Sequence, residues 1–434
     1  TPSASNRRLF TISFWMKRSK IASEQAMIWG AASKFRILML ADDTLSVKDY
    51  NGSSYDINLV TTRLLRDTTS WYHIVVTVDT AQGVAANRVK LYINGVQETA
   101  FDTETYPAQD FDSNGWNTAA AHDIGREVSG SAYFEGQLAH IHGIDGTAYA
   151  ASTFGETDST TGEWKPILAP SVTYGSEGFF LKFENSGALG TDSSGNGNNW
   201  TVNGNLKQGI DTATNNFPTF DDLQHKHTNK VHYAGTGLYS YANAYHGCNL
   251  TQMVKTGKWY FEVKSETDNT GECYGIGFYK NGSRAQYAGY TYNGEPPGKQ
   301  TAGGVNPSGF TFYPNPSTPV IKQNNSNTNY GTQASANDII MCAIDLSTTS
   351  LKVWFGRNGT WFNAPGTSNV GNPASGTNIG MTLDKGDEFW GIQISSSTNQ
   401  ANDTEKYTWI NMGHGLFGTT AVSSGNADGN GIGG

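Results

Sequence analysis

The sequence feature that most constrains the fold is a regular succession of short segments in which apolar and polar residues alternate. In residues 71–79 (WYHIVVTVD) the even-numbered positions are all apolar or aromatic, as in a strand whose successive side chains point to opposite faces. Residues 88–98 (RVKLYINGVQE) contain Asn94-Gly95, a pair that favours a type I′ hairpin turn. No segment keeps a 3.6-residue period beyond two turns, so the pattern predicts antiparallel strands rather than a βαβ sheet.

The second half repeats this pattern. Residues 258–265 (KWYFEVKS) predict a strand with Trp259, Phe261 and Val263 facing inward, and residues 351–362 predict two strands around an Asn358-Gly359 turn. Hydrophobic residues make up 37% of the chain, but aromatic residues reach 12%, enough to build packed cores. The fold class is therefore predicted to be all-β, with two β-sandwich (jelly-roll) domains.

The domain boundaries follow from chain length and composition. A chain of 434 residues exceeds the usual size of one domain, and Asn, Gly, Thr and Asp dominate the region between the two strand series. We predict a first sandwich over 1–205, a linker over 206–227, a second sandwich over 228–420 and a flexible Gly/Ser-rich tail over 421–434.

Charge and cysteine content exclude several classes of partner. The chain has 29 Lys and Arg against 38 Asp and Glu, a net charge of −9, and no basic run. A nucleic-acid partner is therefore not expected, because phosphate binding requires clustered cations. No apolar stretch approaches the ~20 residues of a membrane-spanning helix, so no membrane insertion is expected. Three scattered cysteines do not make a disulfide framework, which indicates synthesis in a reducing bacterial cytoplasm.

The sequence does not indicate a catalytic or metal centre. Glycoside hydrolysis needs two carboxyl groups, and Glu156 and Asp158 form the only Glu-X-Asp pair of the first half, in a polar loop where no third acid completes a Glu-X-Asp-X-X-Glu pattern. His140 and His142 could share a strand face and bind zinc, although partly buried structural histidines are commoner. The prediction is no enzyme and no cofactor. Calcium stays an alternative that the sequence does not place.

Aromatic residues in polar loops are the candidate carbohydrate-binding residues, because the C–H faces of sugars stack on aromatic rings. Trp116 lies in such a loop, and Tyr287, Tyr290 and Tyr292 precede a long Pro-rich stretch. For each of them, packing onto its own domain is the alternative. Trp361, just after a turn, fits either role.

Two families resemble the halves of the chain. Residues 11–18 (TISFWMKR), 71–79 and 133–146 (YFEGQLAHIHGIDG) resemble the laminin-G-like, concanavalin-A-like lectin/glucanase superfamily. Residues 257–265 (GKWYFEVKS) and 338–361 (DIIMCAIDLSTTSLKVWFGRNGTW) resemble a SPRY domain. The resemblance implies a sugar-binding sandwich followed by a SPRY-like sandwich, a fold commonly used to bind proteins.

The connecting segments at 154–166 (FGETDSTTGEWKP) and 190–200 (GTDSSGNGNNW) resemble those of bacteriophage structural proteins. This resemblance implies a non-enzymatic virion surface protein: a tail fibre, an appendage or a capsid decoration. Many copies per virion would bind host surface polysaccharide and contact other virion proteins. The alternative is a purely structural protein that bridges neighbouring subunits, and a polysaccharide-degrading enzyme is a more distant one.

Overall fold

The computed structural model describes residues 4–31, 34–127, 132–204, 206–225, 231–232, 235–240, 246–266, 274–280, 309–323, 326–396, 406–413 and 417. The chain divides into two compact units, Thr1–Asn216 and Phe217–Gly434. Both are built from antiparallel strands, and the 3₁₀ turns that lie wholly within the described residues are short, at Ala85–Asn87 and Ala151–Thr153. Among the described residues there is no helix long and apolar enough to cross a membrane.

Unit 1 contains two six-stranded sheets and a hairpin. Its strands are β1 (Leu9–Arg18), β2 (Gln25–Trp29), β3 (Phe35–Met39), β4 (Thr44–Tyr50), β5 (Tyr55–Leu64), β6 (Tyr72–Asp79), β7 (Val89–Ile93), β8 (Val96–Gln97), β9 (Phe101–Thr105), β10 (Asp123–Ile124), β11 (Gly136–Asp145), β12 (Gly155–Thr157), β13 (Trp164–Pro166) and β14 (Phe179–Leu181). Sheet A has the order β14-β11-β1-β6-β7-β8, and sheet B has the order β10-β2-β3-β4-β5-β9. Strands β12 and β13 pair only with each other.

The core of unit 1 lies between sheets A and B. Alternate residues of β6, Ile74, Val76 and Val78, are buried in it, which confirms the period-two prediction. The intervening residues of β6 are also buried, which the alternation alone does not predict. The reason is that the chain after sheet A folds over its outer face: Thr77 Oγ1 donates to the Tyr149 carbonyl at 2.6 Å, and Val75 packs with Phe154.

The segment predicted as a linker is part of the two units. The division between them falls at Asn216, inside 206–227. Asp211 is fully buried on the outer face of sheet A, where its carboxylate accepts hydrogen bonds from Lys17 Nζ at 2.9 Å and Trp71 Nε1 at 3.0 Å. Unit 1 thus continues eleven residues past the expected end at 205, because its C-terminal segment covers a sheet face.

Unit 2 contains a seven-stranded and an eight-stranded sheet. Its strands are β15 (Phe220–His225), β16 (Val231–His232), β17 (Gly237–Ser240), β18 (His246–Val254), β19 (Lys258–Ser265), β20 (Tyr274–Lys280), β21 (Gly309–Tyr313), β22 (Val320–Gln323), β23 (Ser326–Asn329), β24 (Ile339–Asp345), β25 (Ser350–Arg357), β26 (Thr360–Trp361), β27 (Met381–Asp384), β28 (Trp390–Ser396) and β29 (Lys406–Asn411). One sheet has the order β15-β18-β28-β20-β21-β22-β23. The other has the order β16-β17-β29-β19-β24-β25-β26, with β27 paired to β25.

The second core follows the predicted alternation, with one correction. Phe261 and Val263 of β19 are buried, as expected, but Trp259 is 48% exposed at the start of the strand. The predicted turn at Asn358-Gly359 has φ angles of 48° and 87°, and Asn94-Gly95 has 49° and 80°. Both pairs adopt the positive φ values that a type I′ turn requires, so the two hairpin predictions are confirmed.

Candidate functional site

The predicted sugar-binding residue Trp116 is a core residue. Its side chain is 3% exposed, and its ring centroid lies 5.7 Å from that of Phe35 and 6.2 Å from that of Phe10. The prediction of an exposed loop aromatic is therefore wrong at this position. Tyr287, Tyr290 and Tyr292 lie outside the described residues, and their role stays a prediction.

A buried carboxylate explains why Trp116 turns inward. Asp49 is fully buried at the end of β4, where it accepts hydrogen bonds from Ser113 Oγ at 2.6 Å and from the Asn114 backbone N–H. Ser113 Oγ in turn accepts a hydrogen bond from the backbone N–H of Trp116 at 3.0 Å. Burial raises the pKa of Asp49 to about 6. The polar residues around Trp116 thus anchor its loop instead of exposing it.

The paired acids of the polar loop stabilise a hairpin. Glu156 and Asp158 both lie near Lys165 Nζ, at 3.6 and 3.0 Å respectively. Asp158 also accepts backbone N–H groups of Thr160 and Thr161. These bonds, with the Thr161 N–H first, hold the pKa of Asp158 well below its ordinary value. Both carboxylates are therefore engaged in the β12–β13 turn.

The histidines of unit 1 are packing residues. His73 Nδ1 accepts the Trp164 indole N–H at 3.0 Å, so its proton lies on Nε2, which contacts Ser13 Oγ at 2.9 Å. In this tautomer His73 donates to Ser13 and does not act as its base. Burial lowers the pKa of His73 to about 3. His142 stacks on Phe180 with centroids 3.9 Å apart, and among the described residues no three His, Cys, Asp or Glu side chains form a metal-binding group.

A different set of residues forms one polar row across sheet B. The strand register places these residues opposite one another, in the order Asp123, Trp29, Arg36, Lys48, Asn58 and Thr105. The neighbouring positions Ile37, Val47 and Leu59 are buried in the core. Because successive side chains of a strand alternate, the row lies on the outer face of the sheet. From Trp29 to Asn58 it crosses three strand spacings, about 14 Å.

This outer face concentrates unsatisfied polar atoms. Four of its buried side-chain atoms find no hydrogen-bond partner within the described part of the chain: Trp29 Nε1, Arg36 Nε, Ser46 Oγ and Asn58 Oδ1. Each such atom costs about 1–3 kcal/mol if nothing binds it. The set mixes donors with an acceptor and a hydroxyl, and because all four atoms are buried, a ligand on the surface would not contact them directly.

Aromatic rings hold the cations of the row. The Arg36 guanidinium lies 5.2 Å from the Trp29 ring centroid and 5.6 Å from that of Tyr55, and its Nη2 donates to the Tyr55 hydroxyl at 3.1 Å. Lys48 Nζ lies 5.6 Å from the Tyr55 ring. Trp29 is buried, whereas Tyr55 is 37% exposed. The face therefore offers one accessible ring beside two cations.

Sequence reasoning missed this row because its six members lie on six separate strands. Arg36 is the only charged residue in the otherwise apolar strand β3 (FRILM), whereas β4 (TLSVKDY) is mixed. That interruption was the available signal. Their proximity depends on the register between β3 and β4, which no local pattern specifies.

Unit 2 has a second aromatic surface, around Trp361. The Trp361 and Tyr260 rings meet edge to face, 6.3 Å between centroids, and Tyr260 is 42% exposed. A groove of about 590 Å³ beside Trp361 is lined by the 329–332 and 357–367 segments. Arg357 in this groove is already engaged by Asp338 and the Gln333 carbonyl. The sequence left the role of Trp361 open between binding and packing. In the structure its half-exposed side chain lies beside this surface groove.

Comparison with known proteins gives one family and several distant structural neighbours. The SPRY domain of human HERC1 is 12% identical with a TM-score of 0.29, over 44% of this chain and 96% of that domain. A heptameric SAP-like pentraxin from Limulus polyphemus is 16% identical with a TM-score of 0.27, over 34% and 69%. Domain 4 of AbnA, a GH43 extracellular arabinanase from Geobacillus stearothermophilus solved with arabinotriose, is 19% identical with a TM-score of 0.26, over 34% and 64%.

These TM-scores are too low to carry an argument, and no curated protein matches the chain significantly. The family model covers β1 to β11 of unit 1, and so includes the whole polar row of sheet B. The chain is all-β throughout its described residues, and its residues 2–145 match the laminin-G family model of the concanavalin A-like lectin/glucanases superfamily.

Proposed function

We propose that this chain is a non-enzymatic carbohydrate-binding protein whose glycan site is the outer face of sheet B. The observation that carries the proposal is the exposed ring of Tyr55 beside the partly exposed polar side chains of Arg36, Lys48 and Asn58 on that face. Sugars satisfy such a face because each hydroxyl both donates and accepts, while their C–H groups pack on an aromatic ring.

The finer proposal concerns where the protein works. Following the resemblance of its connecting segments, the chain is a surface component of a bacteriophage virion, present in many copies and directed at host envelope polysaccharide. A single shallow face binds weakly, and multiple copies would raise the overall affinity. Other virion proteins would hold it in place.

A second candidate function is protein binding through unit 2, as in the bridging alternative. The observation in its favour is the group of exposed aromatic residues on that unit: Trp259 is 48% exposed, Tyr260 42% and Phe389 46%. Exposed aromatic side chains are enriched at protein interfaces. The two functions are compatible, because they use different units of the chain.

The test is binding of the full chain to an array of bacterial envelope polysaccharides, followed by calorimetry with and without a calcium chelator. Tyr55→Ala and Asn58→Ala should each weaken binding about tenfold, with Tyr260→Ala in unit 2 as the matched control. Binding lost only in Tyr260→Ala or Trp361→Ala would move the site to unit 2. No saturable binding by the folded chain would reject the glycan proposal and leave the bridging function. Loss of glycan binding when the chelator is added would reveal a calcium requirement.

A further inference from the structure

The cations of the sheet B row are arranged in a way that the fold alone does not explain. Arg36 and Lys48 are direct cross-strand partners, and like charges placed opposite each other on a sheet destabilise it. Within the described residues, neither side chain forms an ion pair.

The acids that share this face have other partners. Asp56 accepts hydrogen bonds from Asn51 Nδ2 at 3.2 Å and Asn114 Nδ2 at 2.9 Å. Asp123, at the end of the row, pairs with Arg126 at 2.9 Å. Both carboxylates are thus held by side chains other than Arg36 and Lys48, and neither makes a direct contact with the two cations.

The guanidinium is also held in position without being neutralised. Arg36 lies between the Trp29 and Tyr55 rings, which orient its plane, and its buried Nε finds no partner in the described residues. A guanidinium fork with free donors matches the two oxygens of a carboxylate. Lys48, one strand away, supplies a second cation, and Asn58 follows with a free carbonyl oxygen.

We propose that the ligand of this face is an acidic glycan whose sugar units carry carboxylates, such as a uronic-acid polysaccharide. The carboxylate binds Arg36 and Lys48, and ring hydroxyls bind the partly exposed side chain of Asn58. A uronate carboxylate is attached directly to the sugar ring. It therefore lies about as close to the ring hydroxyls as Lys48 lies to Asn58, one strand spacing or about 5 Å, with Arg36 one strand further away. This inference rests on the proposed carbohydrate-binding function and specifies its substrate class.

The test compares ligands that differ only in charge. Binding of the full chain is measured by calorimetry for oligogalacturonate and its methyl ester, and for oligomannuronate, oligoguluronate and hyaluronan oligosaccharides against their carboxyl-reduced forms. At least one acid should bind about tenfold more tightly than its neutral counterpart. Raising the salt concentration should reduce that difference.

Variants assign the effect to the row. Arg36→Gln and Lys48→Gln should each remove most of the preference for the acid, whereas Lys90→Gln on β7 of sheet A makes the same charge change and should leave it intact. Arg36→Lys should recover only part of the preference, because an ammonium group cannot make the bidentate contact. Hydrogen exchange of β3 and β4 peptides checks that each variant is folded.

The outcomes separate this inference from the proposed function. Equal binding of acids and neutral forms, weakened by Tyr55→Ala, would overturn the charge assignment and keep glycan binding. Tighter binding to dextran sulfate than to every carboxylated glycan, or equal binding to a short DNA duplex, would also overturn it. If neither acidic nor neutral glycans bind, both proposals fail.

Discussion

The buried ion pair between Lys17 and Asp211 leads to the prediction that can be tested most directly. The two side chains are 2% and 0% exposed, and Asp211 also accepts hydrogen bonds from Trp71 Nε1 and Gln137 Nε2, both at 3.0 Å. Burial lowers the pKa of Lys17 even though Asp211 lies beside it. Among the groups that favour the charged ammonium, Asp211 contributes most, and Asp67 contributes less.

Asp211→Asn keeps the size of the side chain and removes its charge, leaving Lys17 buried without a counter-ion. Removing one partner of a buried pair costs about 3–5 kcal/mol. For a unit of this size each kcal/mol lowers Tm by roughly 2–4 °C, so unit 1 should melt about 6–20 °C lower. Replacing the ammonium as well, in Lys17→Met/Asp211→Asn, should recover part of the loss, because the uncompensated charge is gone.

The assay must report on unit 1 alone, because a chain with two units need not unfold in one step. Hydrogen exchange in increasing urea, followed by mass spectrometry of peptides from β1 and β6, gives the free energy of unfolding for this unit. Asp112→Asn is the control, since its pair with Arg8 is about half-exposed and should cost at most about 1 kcal/mol. Equal small effects of Asp211→Asn and Asp112→Asn would refute the view that residues 206–216 are an integral part of unit 1.

Three further predictions follow from the described contacts. Because burial raises the pKa of Asp49 to about 6, the native state holds its proton more tightly than the unfolded state. This contribution to stability is present below about pH 4 and is lost as the pH rises to about 6. The stability of Asp49→Asn minus that of the wild type, from urea titrations, should therefore rise by on the order of 3 kcal/mol across that window, and a flat difference would contradict this. Since the pKa of His73 is lowered to about 3, the neutral ring contributes stability above about pH 6.5 that is lost as the pH falls. At pH 5, ¹⁵N NMR should therefore show a neutral ring with its proton on Nε2. A protonated ring at that pH would refute the tautomer. Gly143→Ala should lower unit 1 stability by about 1–3 kcal/mol, because the new methyl would meet the Phe179 ring at 2.4 Å. Gly83→Ala, with nothing within 4 Å, should have little effect, and comparable losses in both would argue against this packing.

Much of the fold was predictable because it follows from local patterns. Alternating residues in 71–79 and 258–265 predicted strands β6 and β19, and the Asn-Gly pairs predicted turns whose positive φ values the structure confirms. Strand periodicity and turn preferences arise between neighbouring residues, so a single sequence carries them. The two-sandwich architecture followed from the same signals.

The site and the limits of unit 1 were decided by tertiary structure. Trp116 lies in a segment that reads as an exposed polar loop, yet Asp49, 67 residues earlier, anchors that loop and buries the ring. Asp211 lies in a segment that reads as a linker, yet it pairs with Lys17 at the opposite end of the unit. Neither contact leaves a local trace, because a buried polar group depends on a partner brought to it by the fold.

The same distinction holds for the binding face. The sequence determined which strands exist and that Arg36 interrupts an apolar run. Only the register of sheet B decided that Trp29, Arg36, Lys48 and Asn58 form one row. The physical reason is that a shift of one residue between two strands would turn every side chain of one of them to the opposite face. Register depends on the burial of whole strands, and it is fixed only when the core between the two sheets closes.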